Sequence, residues 1–236
     1  ATMICDCRTD ARREEEAVEF LFRKRVDGLI LMPSGKSGKH LERFLDAEKP
    51  IVLIDRNLED VACDNVLVDN QGAVEDAVKR LLASGHQKIG MIAGPEHVFT
   101  ARERYRGYEA ALKNVGIQVE ESLVVHGDYT IAGGVRAMKE LVGQNPDMTA
   151  MIVSNYEMTV GAMIECNEMG IQIPGELSVI GFDNLEFAKA SNPKLSIVAQ
   201  PTKEIGRHVA ELILERLDGN SKDRPQKAVK LKTSFV

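Results

Sequence analysis

Short apolar runs alternate with amphipathic stretches along almost the whole chain, and this alternation is what most narrows the fold. The runs at 2–5, 28–32, 51–54, 65–68, 88–92, 122–125, 149–153, 177–181 and 195–199, with a last one near 228–233, read as strands. Between them lie helical patterns at 11–25, 38–47, 71–84, 100–115, 131–143, 156–169 and 202–218. Gly85, Gly116, Gly170 and Gly219 stand just past helical stretches, where the closing residue takes positive φ. Asn70 and Asn155 stand just before helical stretches, as N-caps do. Strand–helix–strand repetition at this spacing predicts an α/β fold of parallel strands joined by right-handed crossovers. Gly28-Leu29-Ile30-Leu31-Met32 and Ile51-Val52-Leu53-Ile54 are apolar on both faces, as strands covered by helices on two sides are. The strands fit one large sheet or two of about five strands each. The helix-poor stretch 55–70 is the expected connection between two lobes.

Composition removes several function classes. The 236 residues carry 30 Lys+Arg against 36 Asp+Glu, a net charge of −6, which argues against this chain gripping nucleic acid by itself. Aromatic residues make up 5% and Trp is absent, so a base-stacking platform is not expected. No apolar run approaches the length of a membrane span. The four cysteines, Cys5, Cys7, Cys63 and Cys166, are too sparse for a disulfide scaffold and fit a reducing cytoplasm. Cys5 and Cys7 share one face of the first expected strand and read as core packing.

In open α/β sheets ligands bind beyond the carboxyl ends of the strands. The strand exits here carry Pro33-Ser34-Gly35, Asp55-Arg56, Gly94-Pro95 with Thr100 and Arg104 following, Gly127-Asp128-Tyr129, Ser154-Asn155, Phe182-Asp183-Asn184 and Gln200-Pro201. Asp, Asn and Gly also end strands and cap helices without any ligand. Together these exits offer carboxylates, amides, a guanidinium and an aromatic face, a set suited to a small polyhydroxylated or heterocyclic ligand. Removing Arg104 is expected to weaken binding by about 1.5–3 kcal/mol, the scale of a charge-assisted hydrogen bond, with little effect on stability.

Other motifs read as structure. Pro33-Ser34-Gly35-Lys36-Ser37 lacks the first glycine of a phosphate loop, Ile30 standing there. His40, His86, His97, His126 and His208 show no metal-ligand spacing. His86 is expected to satisfy carbonyls at a helix end, Glu14-Glu15-Glu16 to be a solvated helix start, and Met158, Met163 and Met169 to be core or subunit contact. No nucleophile–base pair, nucleophile elbow or Gly-x-Gly-x-x-Gly marks an enzyme, so no catalytic residue, metal or cofactor is expected.

An ordered set of motifs carries a family resemblance. Arg25-Val-Asp-Gly-Leu-Ile30, Val52-Leu-Ile-Asp-Arg56, Val68-Asp-Asn-Gln-Gly-Ala73, Gly85-His-Gln-Lys-Ile-Gly-Met-Ile-Ala-Gly-Pro95, Ile173-Pro-Gly-Glu-Leu-Ser-Val-Ile-Gly-Phe-Asp-Asn184 and Gln200-Pro201 occur in this order. Over essentially its whole length the chain resembles the effector-binding region of the lactose/galactose-repressor (LacI/GalR) family. The resemblance implies a periplasmic-binding-protein-like type I fold, two similar lobes joined by three crossovers. The first lobe would be 1–67 plus 201–228, the second 68–200 plus 229–236. Residue 1 matches the family's second strand, so the resemblance also implies that the first strand and helix, the hinge helix and the helix-turn-helix lie outside this chain.

Carried over by position, the family's sensor contacts fall on Met32, Asp55, Thr100, Arg104, Tyr129, Asn155, Asp183 and Gln200. Asp55 would accept from a sugar hydroxyl, Thr100 and Arg104 would clamp the ligand from the second lobe, and Tyr129 would stack where relatives place Phe or Trp. Asn155, Asp183 and Gln200 match amide and carboxylate contacts, and Met32 lines the cleft floor. Tyr156 departs from the pattern, since relatives usually have Asp there. The implied partners are a small effector (a sugar, a sugar derivative or a nucleobase) held between the lobes, a second copy of the chain, and operator DNA through the separate N-terminal domain. The helices at 71–84 and 156–169 are the expected dimer surfaces. Ligand binding would shift the balance of lobe arrangements only as far as it favours one of them. The rival readings are an exported sugar-binding protein of a transporter and an α/β enzyme.

Overall fold

The computed structural model describes residues 1–183, 185–218 and 224–236; Asn184, and Gly219, which the sequence reading placed just past a helix, lie outside the described residues. The chain forms two compact units, Ala1–Val68 with Pro201–Leu231, and Asp69–Gln200 with Lys232–Val236.

The first unit contains α1 (Ala11–Arg23), β1 (Leu29–Leu31), a 3-10 turn (Lys39–Leu41) running into α2 (Glu42–Asp46), β2 (Ile51–Ile54) and β3 (Asp64–Val68). After the second unit the chain returns to it as α8 (Thr202–Leu217) and β9 (Ala228–Leu231). Its sheet runs β1-β2-β3-β9, with every pairing parallel. Asp10 caps α1 by accepting from the Arg13 N–H, and Val18 and Leu21 of that helix enter a core with Leu29, Leu31, Phe44, Ile51 and Leu53. The other face of the sheet is covered by α8, whose Ile205, Val209, Leu212 and Ile213 meet Val52, Val66 and Val68.

The expected strand at 2–5 is not one. Met3 and Ile4 are 44% and 91% exposed and Cys5 lies on the surface, because among the described residues no strand gives this run a ladder and no helix covers it. The reading of Cys5 as core is thereby corrected. β1 is buried on one face only: Leu29 and Leu31 are covered, whereas Ile30 on the sheet edge is 48% exposed. The last expected strand, near 228–233, is shorter than expected, and a second short strand follows it. Ala228–Leu231 pairs with β3 in the first unit, while β10 (Ser234–Phe235) pairs antiparallel with β8 in the second. Residues 229–231, assigned from the sequence to the second lobe, are thus part of the first sheet.

The second unit runs α3 (Asn70–Ala83), β4 (Ile89–Ala93), α4 (Phe99–Asn114), β5 (Val124–His126), α5 (Ile131–Gln144), β6 (Ala150–Val153), α6 (Tyr156–Met169), β7 (Ser178–Phe182), α7 (Leu185–Ala190) and β8 (Ser196–Ala199), closing with β10. Its sheet order is β10-β8-β7-β6-β4-β5. Alternate residues face opposite sides: Met91, Ile152, Ile180 and Val198 meet α3 and α4, and Ile92, Met151, Val179 and Ile197 meet α5 and α6. Gly85, Gly116 and Gly170 take the positive φ expected of helix-closing residues. Asn155 caps α6 as expected, but α3 is capped by Asp69, and Asn70 is the helix's first residue. The short α7 was not anticipated.

Candidate functional site

In the second unit the parallel strands β4 to β8 end on one edge of the sheet, so Gly94, Tyr129, Asn155, Asp183 and Gln200 follow strand exits on a common rim. The chain goes from β4 to β5 on one side and returns to β6 on the other. That reversal is the switch point at which open α/β sheets form a crevice.

Arg104 sits beside this reversal, one turn along α4 from Thr100, and the two are 4% and 3% exposed. Its Nε donates to Asn70 Oδ1 at 2.8 Å, its Nη1 donates to the Ser154 carbonyl, and its Cζ lies 3.7 Å from the Phe182 ring centroid. Among the described residues no carboxylate pairs with it. The guanidinium is therefore stabilised by neutral oxygens and a ring face, and it ties the start of α3 to the exits of β6 and β7. Asn70 is the residue the sequence reading missed: in the order Val68-Asp69-Asn70 it looked like the cap that Asp69 provides.

Asp183 and Tyr129 have φ of 65° and 63°, left-handed values that side chains other than glycine seldom adopt. The Asp183 N–H donates to the Val198 carbonyl, and its carboxylate accepts from Gln200 Nε2 at 3.0 and 2.9 Å. The Tyr129 ring covers Gly94 so closely that a Cβ there would lie 2.3 Å from Cε1, and among the described residues the buried hydroxyl has no hydrogen-bond partner. Asn155 Oδ1 accepts from the Met158 N–H at 3.1 Å, an N-cap bond. Neighbouring Asp128 is occupied: Thr130 and Arg136 hydrogen-bond its carboxylate and hold its pKa below the ordinary range.

The first unit presents a smaller set. Met32, 49% exposed, and Asp55 follow the neighbouring strands β1 and β2. Asp55 also has a left-handed backbone, φ 65°, with its N–H donating to the Val66 carbonyl and its carboxylate 3.8 Å from Arg56 Nε. The expected contacts therefore fall in two groups: Thr100, Arg104, Tyr129, Asn155, Asp183 and Gln200 on the second unit, Met32 and Asp55 on the first.

Several other motifs resolve. In the loop after β1, Ser34 N–H donates to Glu14, and Ser37 Oγ and Gly38 N–H donate to Asp60, so these donors serve protein carboxylates. Glu14 is not the solvated helix residue expected but is 1% exposed, with His40 Nε2 2.8 Å from its Oε1. His86 bonds the Leu81 carbonyl through its backbone N–H, while its ring meets Thr149 Oγ1 at 2.9 Å. Met158 and Met163 are core and Met169 is 43% exposed. Among the described residues no group of three or more His, Cys, Asp or Glu could hold a metal ion, and no helix is long and apolar enough to cross a membrane.

Residues 78–236 match the model of a periplasmic binding protein-like domain. Over 220 residues the chain is 31% identical to the HTH-type transcriptional repressor CytR of Escherichia coli, covering 92% of this chain and 64% of that protein. It thus spans just under two thirds of the length of that curated relative. Among solved structures, the transcriptional regulator CelR in complex with cellobiose superposes with a TM-score of 0.87 at 31% identity, covering 96% of this chain and 69% of that one. A sugar-binding transcriptional regulator of the LacI family from Escherichia coli, complexed with phosphate, gives 0.83 at 30% identity, covering 96% and 81%.

Proposed function

Because this chain belongs to the LacI family of transcriptional regulators, with their periplasmic-binding-protein-like fold, we propose that it is the effector-sensing part of such a regulator. The effector is a small polyhydroxylated molecule, a sugar or sugar derivative. Thr100, Arg104, Tyr129, Asn155, Asp183 and Gln200 of the second unit and Met32 and Asp55 of the first serve it. The observation that carries this reading is the common rim of the second unit, where strand exits around a switch point bear an acid, amides and an aromatic ring, beside the buried guanidinium of Arg104 on α4. Tyr129 and Asp183 hold left-handed backbones on this rim, and Asp55 holds one in the first unit, a strain that concentrates at functional sites. Hydroxyl groups suit such a set, since carboxylates accept and amides both accept and donate.

The domain acts by binding rather than by turnover, as a homodimer in the cytoplasm, and controls operator DNA through an N-terminal helix-turn-helix. An effector changes that control only to the extent that it binds one arrangement of the units better than another. A thermal-shift screen of sugars, sugar phosphates and nucleobases tests the reading. At 100 times Kd a ligand specific for the folded state adds about 2.7 kcal/mol of stability. Asp183→Ala should abolish the shift; a shift that survives both Asp183→Ala and Tyr129→Ala would place the ligand elsewhere.

A further inference from the structure

We propose that Gln200 is a positioning residue: it holds the carboxylate of Asp183 in a fixed plane for the effector and does not itself touch the effector. The inference rests on the binding reading above and gives Gln200 a different role from the ligand contact that the family resemblance implies.

Asp183 and Gln200 stand at the exits of neighbouring strands, β7 and β8, in a register that pairs Phe182 with Val198. The Asp183 backbone is pinned by its N–H to the Val198 carbonyl at 2.8 Å, and its φ is 65°. Its carboxylate accepts from Gln200 Nε2, which lies 3.0 Å from Oδ1 and 2.9 Å from Oδ2. A donor centred between both oxygens restrains the carboxylate against turning about its last side-chain bond. Gln200 is itself restricted, because the residue before a proline is confined to extended backbone and Pro201 follows. Ordering Asp183 before the effector arrives removes part of the entropy that binding otherwise loses. An amide suits the task, because unlike a lysine or arginine it leaves the negative charge in place to attract hydroxyl hydrogens. Gln200 also ends the second unit, and Pro201 resumes the first, so the restraint joins the acid of the rim to a point where the chain crosses.

The test compares the wild type, Gln200→Met, Asp183→Ala and the double variant. Without ligand, thermal unfolding of the four proteins gives the coupling between the two residues; losses that simply add would overturn the restraint. With D-ribose and cellobiose as probes in calorimetric titration, Gln200→Met should weaken binding of whichever sugar binds by about tenfold, the scale of a hydrogen bond to a charged group. In the Asp183→Ala background (or Asp183→Ser, if alanine leaves no measurable affinity) it should change binding less than about twofold. Equal losses in both backgrounds mean that Gln200 touches the sugar, and the proposal fails. Gln200→Glu sets two carboxylates together and should bind worse than Gln200→Met; the reverse order also sinks it. If neither sugar binds the wild type, the site reading fails for those sugars, while the unliganded coupling still decides whether Gln200 holds Asp183.

Discussion

The Arg104 guanidinium is spent largely on the protein that carries it. With bonds to Asn70 and Ser154 and a ring beneath it, truncation takes the guanidinium donor away from two buried acceptors. The sequence expectation that Arg104→Ala would spare stability is therefore replaced: urea unfolding should show a loss of about 2 kcal/mol, the cost of stranding buried polar groups. Arg104→Lys keeps the charge but loses the planar fork and should fall between alanine and the wild type. Glu14 makes the same point in the first unit. Burial pushes its pKa up, but the His40 ring beside it and the hydrogen bond from Ser34 outweigh that and hold it below the usual 4.5. A carboxylate whose folded pKa is depressed adds stability above its unfolded value and loses it as pH falls through the folded one. Glu14→Gln should thus be destabilised by about 1–3 kcal/mol near neutral pH, and the gap to the wild type should close below about pH 4.5. A gap that stays constant down to pH 3 would remove the ionised carboxylate from the account.

Helix α6 crosses α5 at close range, and Gly161 permits it. A Cβ there would lie 2.1 Å from the Ile131 carbonyl, a backbone atom that no side-chain rotation can clear. Alanine gains roughly 1 kcal/mol in helix propensity, but overpacking of this kind costs typically 1–3 kcal/mol. Gly161→Ala should therefore be net destabilising in chemical denaturation, whereas at Gly143, where a Cβ would meet nothing, the same change should stabilise. The elements themselves were legible where a period ran long enough: α3 to α6 and α8 fall within a residue or two of their expected spans. Short runs failed for lack of context. Nothing in Met3-Ile4-Cys5 says whether a neighbour will cover it, and α7 is too short to display a helical period. The strand exits were readable because topology alone places them. Which polar side chains would be turned inward was not, since Asn70 and Glu14 are buried by contacts from residues 104 and 40 that no local pattern announces.

Each unit has apolar clusters on both faces of its own sheet, so each carries the means of its own stability. In the first unit this requires joining chain that leaves at Val68 to chain that returns at Pro201, and Asp64 makes that join. It is 2% exposed at the start of β3 and accepts from Arg216 Nε and Nη2 and from the Lys227 N–H, each at 2.8 Å. Arg216 also donates to the Arg224 and Pro225 carbonyls at 2.9 Å, so one carboxylate fixes the end of α8 and the approach to β9. Removing the buried carboxylate takes the acceptor from Arg216 and from the Lys227 N–H, and a hydrogen bond to a charged group is worth about 1.5–3 kcal/mol. Asp64→Ala should accordingly loosen β3, β9 and α8 together. Hydrogen exchange read by mass spectrometry should show faster exchange there, with β4, β6 and β7 as the internal reference, since proteins open in cooperative units that follow their packing. Acceleration confined to residues beside position 64 would reduce Asp64 to a local contact. Equal acceleration in both units would mean that the two cores unfold as one, and that the return of the chain through α8 and β9 is held by the whole molecule rather than by this carboxylate.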